Sequence, residues 1–135
     1  LKIRATDNKT LGNVAIVDLL PGGFDPVTTP PPVTDAADGD AQAGQDAAAN
    51  AAPAPWRSPV GLPGSTWQPQ YADVREDRVV IYGSASGDVR EFVYRIKATN
   101  AGRFIVPPAY GESMYDRRVQ AQSAGGAALD VVRAP

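Results

Sequence analysis

The side chains able to do chemistry in this sequence are few, and their spacing is informative. Asp73, Glu76 and Asp77 sit close together around Arg75 and Arg78, a grouping that could hold a general acid and a general base. The interleaved arginines favour mutual ion pairing at a strand entrance instead. Ser84 and Ser86 have no histidine to activate them, because the chain contains no His at all. It has no Cys either, which removes thiolate nucleophiles, disulfides and Cys/His zinc sites. Asp35, Asp38, Asp40 and Asp46 lack the alternating ligand positions and the terminal bidentate Glu of a calcium loop. Catalytic, cofactor-binding and metal-binding residues are therefore expected to be absent. The most distinctive chemistry lies in Pro107–Asp116, where Tyr110, Met114 and Tyr115 stand among Pro and Gly. Exposed Met and Tyr form adaptable apolar contact surface, and the same residues can equally cap the open end of a fold.

The elements that must position this segment are strands. Leu1, Ile3 and Ala5 alternate with Lys2, Arg4 and Thr6, as in a half-buried strand. Asn13–Leu20 is rich in β-branched and aliphatic residues and stops at Pro21-Gly22-Gly23. Arg78–Tyr82 reads as a strand, with Gly83–Gly87 as the following turn. Val89–Ala98 directs Phe92, Tyr94, Ile96 and Ala98 inward and Glu91, Arg95 and Lys97 outward. Arg103–Val106, Arg118–Ala121 and Ala128–Val132 complete the set, with Ala109–Asp116 as a loop. Closely spaced turns and the lack of a long helical pattern predict an all-β, antiparallel, immunoglobulin-like sandwich of about seven strands.

Residues 25–55 interrupt that pattern. The 135-residue chain is 43% hydrophobic, but that fraction includes 22 Ala, ten of them between Ala36 and Ala54. An Ala/Pro/Asp-rich stretch with almost no large side chains cannot offset ordering costs of roughly 1–2 kcal/mol per residue. It reads as a long disordered insertion inside one domain, 1–135. Beyond it, Trp56, Trp67 and Tyr71 lie in a Pro/Gly-rich segment, either as core anchors or as a stacking platform for a glycan. Thr10–Trp56 carries six Asp and no Lys or Arg, while the rest of the chain holds all 13 basic residues against nine acidic ones. The charges interleave, leaving no basic stripe for a phosphate backbone, so nucleic acid is not an expected partner. No apolar run is long enough to insert in a membrane, and the opening Leu1-Lys2-Ile3-Arg4 reads as the start of a piece of something larger, with its first strand cut away.

Four stretches, taken together, resemble the C-terminal domain of bacterial α2-macroglobulins. They are NVAIVDLLPGGF at 13–24, YADVREDRVVIY at 71–82, VYRIKATN at 93–100 and PPAYGESMYD at 107–116. The Ala/Pro/Asp insertion has no counterpart. The resemblance implies a non-catalytic macroglobulin domain of a large periplasmic protease inhibitor, often lipid-anchored at the inner membrane through its own N-terminus. Such inhibitors trap proteases after cleavage of a bait region, and many capture them through an internal thioester. It further implies that the domain's partners are the thioester domain and neighbouring macroglobulin domains of the same polypeptide, with target proteases reached through the parent. Met114, flanked by Tyr110 and Tyr115, would shield the thioester; its Cys and Gln would lie outside this Cys-free chain. The alternative is a free-standing immunoglobulin-like binding or adhesion module of an exported protein.

Overall fold

The computed structural model describes residues 1–7, 9–28 and 56–133. Its elements are β1 (Lys2–Ile3), β2 (Leu11–Leu19), β3 (Phe24–Pro26), β4 (Tyr71–Val74), β5 (Arg78–Ala85), β6 (Arg90–Glu91), β7 (Ile96–Ala98), β8 (Gly102–Ile105), β9 (Tyr110–Ser113), β10 (Gln120–Gln122) and β11 (Ala128–Val131). Every pairing is antiparallel, and no helix occurs among the described residues. The main sheet has the order β10-β9-β2-β5-β4, and three two-stranded ladders, β1-β6, β3-β7 and β8-β11, accompany it.

Strand β2 organises the main sheet because its alternation serves both faces. Val14 and Ile16 are buried on one side, while Ala15 and Val17 are half-buried on the other. Cross-strand register then places Gly111, Ile16, Ile81 and Ala72 in one inward row. Val60, Trp67 and Phe92, from the segments outside this sheet, close the core over Val79 and Ile81, and Val60, Val79, Ile81 and Phe92 retain 0% exposure.

Gly83 is the point where this packing depends on a missing side chain. A Cβ there would lie 2.7 Å from Cζ2 of Trp67. The indole fills that space, donates from Nε1 to the Ser84 carbonyl at 2.8 Å, and meets Phe92 edge-on at 6.1 Å. Gly83, expected in a turn, therefore sits within β5 opposite Val14, and the chain reverses over 86–89. At the base of the core the Tyr94 hydroxyl donates to the Asp18 carboxylate. Burial first, and that hydrogen bond second, push the phenol pKa upward.

The structure divides several expected strands. Val89–Ala98 is two short ladders rather than one continuous strand, because its partners change along its length. Leu1 exchanges hydrogen bonds with Phe92, while Leu62 donates to the Val93 carbonyl and Val27 to that of Arg95. Phe92 is buried and Tyr94 half-buried as expected, but Ile96 and Ala98 are exposed, since the short β3-β7 ladder leaves their face open. β3 takes in Asp25 and Pro26, the first residues of the expected insertion; 29–55, which carry most of it, lie outside the described residues. Among the described residues, eleven short elements thus stand where about seven longer strands are expected.

Candidate functional site

Within the Pro107–Asp116 segment, part of the expected loop is a strand. Tyr110–Ser113 forms β9, paired with β2 on one side and β10 on the other. The sequence pattern hides this, because Tyr-Gly-Glu-Ser has no apolar alternation and one of its two backbone partners, β2, lies far away in the chain. The Ser113 amide donates to Val119 and the Val119 amide to Asp116, both at 2.9 Å, which closes the β9–β10 hairpin. Asp116 reinforces the turn. Its carboxylate accepts from the Arg118 amide at 3.1 Å and from the guanidinium at 3.0 Å on each oxygen. These contacts hold the Asp116 carboxyl below its ordinary pKa, the Arg118 side chain first and its amide second, and raise that of Arg118.

Met114 and Tyr115 occupy the tip of this hairpin, 52% and 82% exposed. The tip is also tied to the sheet from the opposite side. Asn13 adopts a φ of 54° at the irregularity between Leu11 and Val14, and its carbonyl accepts the Met114 amide at 2.9 Å. Asn tolerates this left-handed conformation better than most residues. Asn13 and the Asp116-x-Arg118 clamp are positioning residues that sequence reasoning missed; the Gly12-Asn13 pair within an otherwise β-rich run was the available signal.

Tyr110 does not join the tip. It lies about 13 Å back along the strand, four residues at a normal rise. Half-buried, its hydroxyl sits 2.9 Å from Glu112 Oε2 and 3.0 Å from Gln120 Oε1. The Glu112 hydrogen bond, followed by desolvation, raises its pKa. Met114 and Tyr115 are thus brought together at the tip, and Tyr110 braces the base of the same hairpin.

The three-aromatic platform is not formed, because Trp67 is a core residue at 4% exposure. Trp56 instead faces Tyr71 at 6.0 Å, and Tyr71 faces Tyr82 at 5.9 Å, along the outer face of the main sheet. Among the described residues no group of three potential metal ligands occurs, and no helix is long and apolar enough to cross a membrane.

The arrangement is a β-sandwich whose braced hairpin holds two large side chains, Met114 and Tyr115, toward solvent. Residues 1–117 match the family model of the bacterial alpha-2-macroglobulin MG10 domain. The chain is 54% identical over 132 residues to an alpha-2-macroglobulin homolog of Yersinia pestis, covering 98% of this chain and 6% of that protein. It is 31% identical over 121 residues to an alpha-2-macroglobulin of Rickettsia conorii, covering 86% and 5% respectively. The crystal structure of a Salmonella alpha-2-macroglobulin mutant superposes with a TM-score of 0.58 at 19% identity, covering 93% of this chain and 7% of that one, a likeness of fold. The chain belongs to the bacterial alpha-2-macroglobulin family, and its fold is the macroglobulin form of the immunoglobulin-like sandwich. It spans only 6% and 5% of the lengths of these two curated relatives.

Proposed function

We propose that this domain is the non-catalytic C-terminal module of a bait-and-trap protease inhibitor, and that the Met114–Tyr115 tip docks on a neighbouring domain of the same polypeptide. In a parent with an internal thioester, that neighbour is the thioester domain and the tip keeps water from the bond. The parent is periplasmic, anchored by lipid at its own N-terminus, and meets its target proteases through its bait region. The observation that carries this reading is the exposed Met–Tyr pair on a hairpin fixed at both its β2 and β10 sides, within a chain of this family. A thioether and a phenol ring provide apolar cover with no charge to hold them, so the contact can release when bait cleavage rearranges the parent.

The test is Met114→Ala in the full-length protein. Faster thioester loss in water, or faster reaction with methylamine, is the expected result. Wild-type amine reactivity would refute the shielding role. In a parent without a thioester, hydrogen exchange across 110–115 should quicken after bait cleavage, and no change there would refute docking.

A further inference from the structure

The irregularity in β2 bears on where the hairpin tip stands. From Leu11 to Val14 the strand advances three residues while its partner advances two, from Ala85 to Gly83. One residue is therefore inserted. Because strand alternation has a period of two, the insertion changes which face the preceding residues address. Leu11 returns to the core face with Val14, where it packs half-buried opposite Ala85. Without the insertion Gly12 would oppose Ala85, and Leu11 would turn outward.

Core packing thus accounts for an extra residue, but not for the backbone that residue adopts. Asn13 has a φ of 54°, and among the described residues it is the only one besides glycine with a positive φ. Gly12, which could take that conformation at no steric cost, does not take it. Asn13 is exposed, and its side chain makes no hydrogen bond among the described residues.

What the left-handed conformation does is aim a carbonyl. The Asn13 oxygen accepts the Met114 amide at 2.9 Å, one step past the last β2–β9 pair, Val14 with Ser113. Among the described residues this is the only backbone hydrogen bond made by Met114 or Tyr115. The tip therefore hangs from β2 by one bond, whose direction follows the Asn13 backbone angles.

We infer that Asn13 is a positioning residue for the Met114–Tyr115 contact, acting through its left-handed backbone, and that its side chain is dispensable. The inference rests on the reading above that the tip docks on a neighbouring domain. Gly and Asn tolerate this region of φ, whereas a β-branched residue is driven out of it toward an extended strand. An extended residue 13 would swing its carbonyl away from β9 and free the Met114 amide. The tip would then leave the position from which it covers its partner.

The experiment compares Asn13→Gly with Asn13→Val in the full-length protein. It reads hydrogen exchange of the Met114 amide and reaction of the thioester with methylamine. Asn13→Gly should match the wild type in both. Asn13→Val should speed Met114 exchange at least about tenfold while the Ile16–Ile81 ladder stays protected. It should also raise amine reactivity toward that of Met114→Ala. In the Met114→Ala background Asn13→Val should raise it no further, whereas general destabilisation would add to it. Wild-type Met114 exchange in Asn13→Val, loss of protection in Asn13→Gly, or additive reactivity in the double variant would each overturn the proposal. Should Asn13→Val fail to fold, Asn13→Ala takes its place with the same expected direction. In a parent without a thioester the exchange results decide. Met114→Ala by itself tests the docking reading, which can fail while Met114 exchange still judges Asn13.

Discussion

Gly83→Ala tests whether the core is organised around the Trp67 ring, and its outcome can be worked from distances. The new Cβ would lie 2.7 Å from Cζ2 and 3.0 Å from Cη2 of the indole. The ring has little room to retreat: it is 4% exposed, backed by Phe92, and fixed by its hydrogen bond to Ser84. Overpacking of this kind costs about 1–3 kcal/mol. Replacing a strand glycine recovers about 0.5–1 kcal/mol of that. The net expectation is a destabilisation of about 1 kcal/mol, the middle of the range these two terms span. Gly111→Ala provides the contrast, because its Cβ would have no contact nearer than 3.7 Å. It should be neutral or stabilise by up to about 1 kcal/mol. Urea unfolding of the chain, followed by far-ultraviolet circular dichroism, reads both changes. A double-mutant cycle with Trp67→Phe, which removes the benzo-ring atoms that clash, should recover about 1 kcal/mol in the alanine background. A Gly83→Ala protein as stable as wild type, or a cycle with no coupling, would falsify the claim that the missing Cβ positions Trp67.

Two further outcomes follow from titratable groups. The Asp116 carboxyl has its pKa lowered in the fold, so the stability it contributes is present above its unfolded value near 3.8 and is lost as pH falls through the lower folded value. Amide chemical shifts of Arg118 and Val119 should therefore move below about pH 4, and should be flat there in Asp116→Asn. The Tyr94 pKa is raised, so its contribution is present below the ordinary phenol value near 10 and is lost as pH rises beyond it toward the folded value. Tyr94→Phe leaves Asp18 without this donor and should cost about 1–2 kcal/mol at neutral pH while flattening the alkaline limb of the unfolding profile. An unchanged alkaline limb in that variant would count against the assignment.

The β-rich character of this chain, its turn-punctuated organisation and the absence of imidazole and thiol chemistry are determined by residue type and order. Val14, Ile16, Val79 and Ile81 are inward because their alternation commits them to one face wherever their strands pair. Met114 and Tyr115 were conspicuous as large apolar residues among Pro, Gly and acidic neighbours, and the four family-like stretches were legible in linear order. Only the tertiary structure decided what those residues touch. Tyr110–Ser113 became a strand because β2 arrives from far along the chain, and β10 folds back through a hairpin, to satisfy its backbone. Gly83 left its expected turn because the Trp67 ring, 16 positions upstream, fills the space above it. Trp67 went to the core and Trp56 to the surface, a choice that composition cannot make between two tryptophans in the same kind of segment. Local pattern fixes the period of a strand; partners distant in sequence decide which strands exist, where they end, and which of their edges remain free.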